Sequence, residues 1–148
     1  MALALVALVF GIDQTHKWWM LNVYGITAEP VAVLPFLDLV LTWNRGISYG
    51  LFRTPMQGAL IALSLAISLL LWVWLNRSPR QLTVAALALV IGGALSNALD
   101  RAIHGAVADF FHFHVGAFSW YVFNLADVAI VAGVALLLYE SMVERRQP

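Results

Sequence analysis

No cysteine occurs in the 148 residues, which excludes disulfides, thiolate catalysis and cysteine-ligated metal sites together. Any nucleophile must be another group. Charge is nearly as scarce. Eight Lys and Arg balance eight Asp and Glu to a formal net charge of zero, and charged residues make up 11% of the chain, against about 25% in an average soluble domain. No run of Lys or Arg appears, so the basic footprint that nucleic-acid binding requires is missing, and nucleic acid is not an expected partner. What remains is apolar: 62% of residues are hydrophobic and the mean hydropathy is +0.86. A soluble fold of this length has too little interior to hide that much apolar surface. The chain reads as an all-α polytopic membrane protein, one domain over residues 1–148 with four transmembrane helices.

The first helix is expected over about Ala2 to Tyr24. It lacks the basic n-region and small-residue cleavage site of a secretory leader, and it continues into Trp and Tyr that suit a membrane interface. Gly58 to Leu75 carries no charge, and 18 helical residues rise about 27 Å, close to the roughly 30 Å hydrocarbon thickness. Pro79, in the basic turn Asn76-Arg77-Ser78-Pro79-Arg80, breaks that helix before a third expected over Leu82 to Leu99. The fourth is expected over Tyr121 to Tyr139, followed by the exit charges Glu140, Glu144, Arg145 and Arg146. Placing the Arg77/Arg80 turn and the Arg145/Arg146 tail in the cytoplasm puts both termini inside, as the positive-inside rule prefers, although Arg45, Arg53 and Arg101 on the other side weaken the bias. Between the first two helices, Gly25 to Gln57 holds Pro30, Pro35, Pro55, the apolar stretch Phe36 to Val40 and the turn-like Asn44-Arg45-Gly46. It is expected to form a small extracytoplasmic β-rich and amphipathic segment, a platform for substrate and a candidate flap.

In so apolar a chain, polar residues are informative. Asp13, Asp38, Asp100, Asp109 and Asp127 fall within or beside apolar segments, where an ionised carboxylate costs several kcal/mol unless it faces a cavity or a partner. Asp13 and Lys17 stand at i, i+4 and can pair, which fits a structural ion pair as well as a site. Asp100-Arg101 at the end of the third helix, Asp109 in the following loop and Asp127 at the start of the fourth all map to the outer side. Two Asp residues brought together share one proton. The ionised one can act as base on a water while the other donates to a carbonyl oxygen, which hydrolyses a peptide bond without Ser, Cys or metal. The 18-residue separation of Asp109 and Asp127 permits such a pair but equally permits two structural carboxylates.

Five blocks carry a resemblance: Asp13-Gln14-Thr15-His16-Lys17, Asn44 to Gly50, Gly92 to Arg101, Gly105 to Phe110, and Phe123-Asn124-Leu125-Ala126-Asp127. In their order, with helices between them, they resemble the lipoprotein signal peptidase (signal peptidase II) family, aspartyl peptidases of family A8. The resemblance implies an endopeptidase of the bacterial cytoplasmic (inner) membrane, with its site at the outer interface, that removes the signal peptide from diacylglyceryl-modified prolipoproteins just before the lipidated Cys. It implies Asp109 and Asp127 as catalytic, Asn44, Asn97, Arg101 and Asn124 as polar positions lining the site, and Asp13, Lys17 and Asp100 as supports. It also implies membrane lipids and the cyclic peptide inhibitor globomycin as partners, and no cofactor or metal. Tyr49, Ser96 and Val128 depart from the family's usual residues without removing a catalytic group. The small residues Gly92, Gly93, Ala94, Ser96 and Ala98 suit close helix packing.

Two other readings compete. His104, His112 and His114 lie around Asp109, and an HxH beside a carboxylate suits zinc. Intramembrane Asp, Lys and His also suit a small proton-coupled transporter or channel subunit, although a transporter concentrates such groups near the midplane, where the second and third helices are uncharged.

Overall fold

The computed structural model describes residues 2–46 and 57–144. Ile47 to Met56 of the expected platform, with Arg53 and Pro55, and the exit charges Arg145 and Arg146 lie outside the described residues.

Helix α1 (Ala2–Trp19) widens at its end into a π-helical turn, Met20–Tyr24. Gly25 stops it at φ 70°, its N–H returning to the Met20 carbonyl, in a left-handed conformation that costs a glycine little. Strands β1 (Val31–Leu34) and β2 (Leu37–Asn44) follow as a hairpin. Helices α2 (Gln57–Arg77) and α3 (Gln81–His104) flank the Pro79 turn. Next come β3 (Val107–Val115), β4 (Phe118–Ser119) and α4 (Leu125–Glu144).

The strands form one antiparallel sheet in the order β1-β2-β3-β4. The all-α expectation is corrected here. Strands were expected only between the first two helices, yet β3 and β4 arise between α3 and α4, and Asp109 sits on a strand rather than in a loop. The physical reason lies in Phe110-Phe111-His112-Phe113: aromatic residues favour a pleated, half-buried surface, and β2 offers an unpaired edge for them to close. In the resulting register Thr42 lies opposite Asp109 and Asn44 opposite Val107.

Three helical stretches, α2, α3 and Leu125–Val143 of α4, are long and apolar enough to cross a membrane. α1 is 18 residues long and buries both Asp13 and Lys17. Helix α3 is central and packs against α1, α2 and α4, and small residues set how closely. A Cβ on Gly93 would lie 2.5 Å from the Ala126 carbonyl oxygen of α4, one on Gly133 of α4 would lie 2.5 Å from the Ala86 oxygen, and one on Gly92 would lie 2.8 Å from Val9 Cβ of α1. Val6, Leu75, Leu87, Ala88 and Ile91 form the apolar core between α1, α2 and α3, while Met20, Ile26, Ala108 and Phe110 form a second one under the sheet.

Candidate active site

The first turn of α4 is built by its own cap. Asn124 Oδ1 accepts the Asp127 N–H at 2.9 Å, and Asp127 Oδ2 accepts the Asn124 N–H at 3.3 Å. This reciprocal pair is a capping box, which satisfies backbone donors that a helix start leaves open. It places Asp127 one turn into α4, with acidic charge at the favourable end of the helix dipole. The fourth helix therefore starts at Leu125, four residues later than the apolar run suggested.

Asp109 arrives from β3 and is 1% exposed. Asn124 joins the two carboxylates: its Nδ2 donates to Asp109 Oδ1 at 2.6 Å, while its own Oδ1 and backbone N–H serve Asp127. Asn97 of α3 completes the ring, with Nδ2 donating to Asp127 Oδ1 at 2.9 Å and Oδ1 accepting from Asn124 Nδ2 at 3.2 Å. Burial first, and then the nearby Asp127 charge, push the Asp109 carboxyl up to about 7 against the opposing pull of hydrogen bonds from Asn124 and Asn44 and of Lys17.

Behind this ring lies a buried ion triad. Lys17 Nζ meets Asp13 Oδ2 at 2.7 Å and Asp100 Oδ2 at 2.8 Å, and it donates to Asn97 Oδ1 at 3.0 Å. All three ammonium protons thus have acceptors. Each carboxylate of the triad also holds the backbone of a residue just before one of the two aspartates. Asp13 Oδ1 accepts the Ala126 N–H at 2.8 Å, and Asp100 Oδ2 accepts the Ala108 N–H at 3.2 Å. The i, i+4 pair expected from spacing is present, and its wider use is as a frame that fixes where Asp109 and Asp127 stand.

A cleft of about 250 Å3 opens on this array, lined by Asn44, Gly46, Asn97, Arg101, Val107, Tyr121, Asp127, Ile130 and Val131. Asn44 Oδ1 accepts the Gly46 N–H at 3.1 Å, a side-chain-closed turn of the kind the Asn44-Arg45-Gly46 sequence suggests. Arg101 is anchored by Nη1 on the Asn97 carbonyl at 3.3 Å and Nη2 on the Gly46 carbonyl at 3.4 Å.

All nine residues singled out from the sequence therefore converge: Asp109 and Asp127 face one another's hydrogen-bond partners, Asn44, Asn97, Arg101 and Asn124 surround them, and Asp13, Lys17 and Asp100 stand behind. The family model for signal peptidase (SPase) II matches residues 5–143 of this chain. The chain belongs to the signal peptidase II family. It is a peptidase, and the family is that of the aspartyl peptidases A8. The lipoprotein signal peptidase of Methylocella silvestris is 57% identical over 144 residues, which cover 95% of this chain and 84% of that one. That of Beijerinckia indica subsp. indica is 52% identical over 134 residues, 88% of this chain and 80% of the relative. A solved bacterial membrane enzyme superposes with a TM-score of 0.88 over 98% of this chain and 89% of its own, at 22% identity, which shows the shared fold.

Membership in the signal peptidase II family replaces the transport reading with hydrolysis. The structure does not gather the three histidines on Asp109. His104 packs its ring on Trp43, and His112 and His114 turn instead to Asp38, at 3.6 Å and 3.1 Å. Among the described residues no three His, Cys, Asp or Glu side chains group as metal ligands. Two side chains of this candidate site carry no role that the sequence assigns. Gln14 donates to Asp100 Oδ1 at 2.8 Å, and Ser96 donates to Asp13 Oδ2 at 2.6 Å. Gln14 stands beside Asp13 in the first motif, so its neighbourhood was signalled. Ser96 looked like one small residue in a packing stripe, and only the third dimension shows its acceptor.

Proposed function

We propose that this chain removes the signal peptide from diacylglyceryl-modified prolipoproteins, cleaving just before the lipidated Cys, with Asp109 and Asp127 as the catalytic pair. The observation that carries the reading is the bridge through Asn124, which holds the buried Asp109 carboxyl and the half-buried Asp127 carboxyl beside one cleft while burial and the neighbouring charge keep Asp109 near a pKa of about 7. Asp109 then holds the shared proton at neutral pH. Asp127, which accepts from Asn97 Nδ2 and the Asn124 N–H, is the ionised partner.

Asp127 takes a proton from a water as the water oxygen bonds to the scissile carbonyl carbon, and Asp109 donates its proton to the carbonyl oxygen. The tetrahedral gem-diol then collapses. Its proton returns to the carboxylate pair, the C–N bond breaks, and the proton carried by Asp127 passes to the leaving nitrogen. The products are a new carboxyl on the signal peptide and a free amine on the lipidated Cys. Arg101 and Asn44 line the cleft, and guanidinium and amide groups are of the type that recognises a substrate's backbone carbonyls.

The reading extends to the membrane. α1 with its π-helical turn joins α2, α3 and α4 as a fourth span, and residues 1–148 act as one domain of the bacterial inner membrane. Both termini lie in the cytoplasm, and the sheet stands outside. Trp120 and Tyr121, which follow β4, and Trp19 at the end of α1 suit a headgroup layer, where a diacylglyceryl substrate presents its scissile bond. Globomycin binds the same cleft as a non-cleavable mimic. Hydrolysis of a diacylglyceryl prolipoprotein in H2 18O tests the chemistry. One 18O in the carboxyl of the released signal peptide, and a product beginning at lipidated Cys, are expected in a single turnover. Label withheld from that carboxyl indicates a covalent enzyme intermediate and rejects direct attack by water.

A further inference from the structure

Gln14 and Ser96 form a second hydrogen-bonded tier beneath the ion triad. Gln14 Nε2 donates to Ser96 Oγ at 2.9 Å, to the Ser96 carbonyl at 3.3 Å and to Asp100 Oδ1 at 2.8 Å. Its amide orientation is fixed by chemistry, because the reversed amide would aim its carbonyl at the Asp100 carboxylate. Ser96 is fully buried, and since Gln14 can only donate to its oxygen, the single hydroxyl proton goes to Asp13 Oδ2, at 2.6 Å. A buried helical serine commonly returns that proton to a carbonyl one turn back; this one points it across to α1.

The consequence lies on the other oxygen of Asp13. With Oδ2 engaged by both Ser96 and Lys17, Oδ1 remains for the Ala126 N–H at 2.8 Å. Ala126 precedes Asp127 and belongs to the same helical turn. Without the hydroxyl, Asp13 keeps one charged partner, is free to rotate onto Lys17, and releases a buried N–H at the start of α4.

We infer that Ser96 is a positioning residue for Asp127: its hydroxyl, directed by Gln14, locks the Asp13 carboxylate that holds the first turn of α4. The inference rests on the reading of Asp127 as a reacting carboxylate. It concerns the placement of that group rather than the stability of the bundle, and kinetics separate the two.

The test compares Ser96→Ala and Ser96→Gly, both smaller than serine, with Gln14→Met, the Gln14→Met/Ser96→Ala double variant and Asp127→Asn, using purified full-length protein and a diacylglyceryl prolipoprotein. Misplacing a reacting group by a fraction of an ångström is expected to lower kcat per folded molecule about tenfold in Ser96→Ala and Ser96→Gly while KM stays within about twofold. Gln14→Met is expected to lower kcat in wild type and to add little once Ser96 is alanine, because both act through one carboxylate. If Asp127→Asn is inactive but both Ser96 variants turn over at the wild-type rate and differ only in melting temperature, Ser96 is structural and the inference is overturned. If Asp127→Asn retains full activity, the catalytic reading fails and the inference falls with it.

Discussion

Asp109 is where chemistry and stability conflict. A carboxyl raised to about 7 by burial is protonated in the folded protein and ionised in the unfolded chain across the interval between the ordinary Asp value and 7. The folded state binds the extra proton there, so stability falls as pH rises through that window and levels off above it. Asp109→Asn removes the titration. The melting temperature of the variant minus that of wild type is therefore expected to grow from about pH 5 to about pH 8, and a gap that is constant with pH contradicts the burial of a titrating Asp109. On the activity side, the proposed role of Asp109 predicts that kcat declines in a pH–rate profile as pH rises past about 7, where that carboxyl loses its proton. Asp13, Lys17, Asp100, Asp109 and Asp127 were legible in the sequence for one reason: in a chain with few charges, a charged residue within or beside an apolar segment stands out. Asn97 and Asn124 became legible only through the family motifs, since one Asn in an apolar run carries no signal alone. Ser96 stayed hidden because a hydroxyl costs little to place in a helix and announces nothing about its partner.

The elements were less legible than the residues. The apolar run placed the start of α4 at Tyr121, whereas the capping box of Asn124 and Asp127 sets it at Leu125, and the Asn-x-x-Asp signature was there to be read. The sequence predicts a loop at Asp109, whereas β3 runs through it, because Val107 to Phe110 shows no alternation of apolar and polar residues that would mark a strand. Ala108, Asp109 and Phe110 are all buried, so no exposed polar face marks this half of the strand. Helix packing behaved as the small residues suggested. A Cβ at Gly93 would meet backbone, the Ala126 oxygen at 2.5 Å, whereas one at Gly58 of α2 would meet nothing within 4 Å. Gly93→Ala is therefore expected to destabilise by about 1–3 kcal/mol and to lower activity, since α4 must move next to Asp127. Gly58→Ala is expected to be neutral or stabilising by up to about 1 kcal/mol. Thermal unfolding in detergent reads both, and equal effects at the two sites contradict the close α3–α4 approach.

At the scale of the molecule, two crossed pairings make the site. β2 and β3 bring the segment after α1 onto the segment after α3, and the Asp13–Lys17–Asp100 triad ties α1 to α3 on the same side. Asp109 and Asp127, 18 residues apart in sequence, meet because a strand and a helix start are both hung from that frame. Composition indicated a membrane protein and the spacing of apolar runs indicated its helices, but sheet closure depends on contacts far apart in the chain, which local patterns do not encode. The Thr83 hydroxyl donates to Glu140 at the opposite ends of α3 and α4, so the two helices are clamped at that level too, and the site sits on a scaffold held at both ends.

The central claim is that Asp109 and Asp127 hydrolyse the substrate as a pair. The most direct measurement is cleavage of a diacylglyceryl-modified prolipoprotein by the purified protein, in the presence of EDTA, beside Asp109→Asn and Asp127→Asn variants checked for folding by their melting curves. Cleavage by wild type under chelation, with each folded Asn variant slower by at least about a thousandfold, is the predicted result. Folded Asn variants that still cleave at rates near wild type would contradict it.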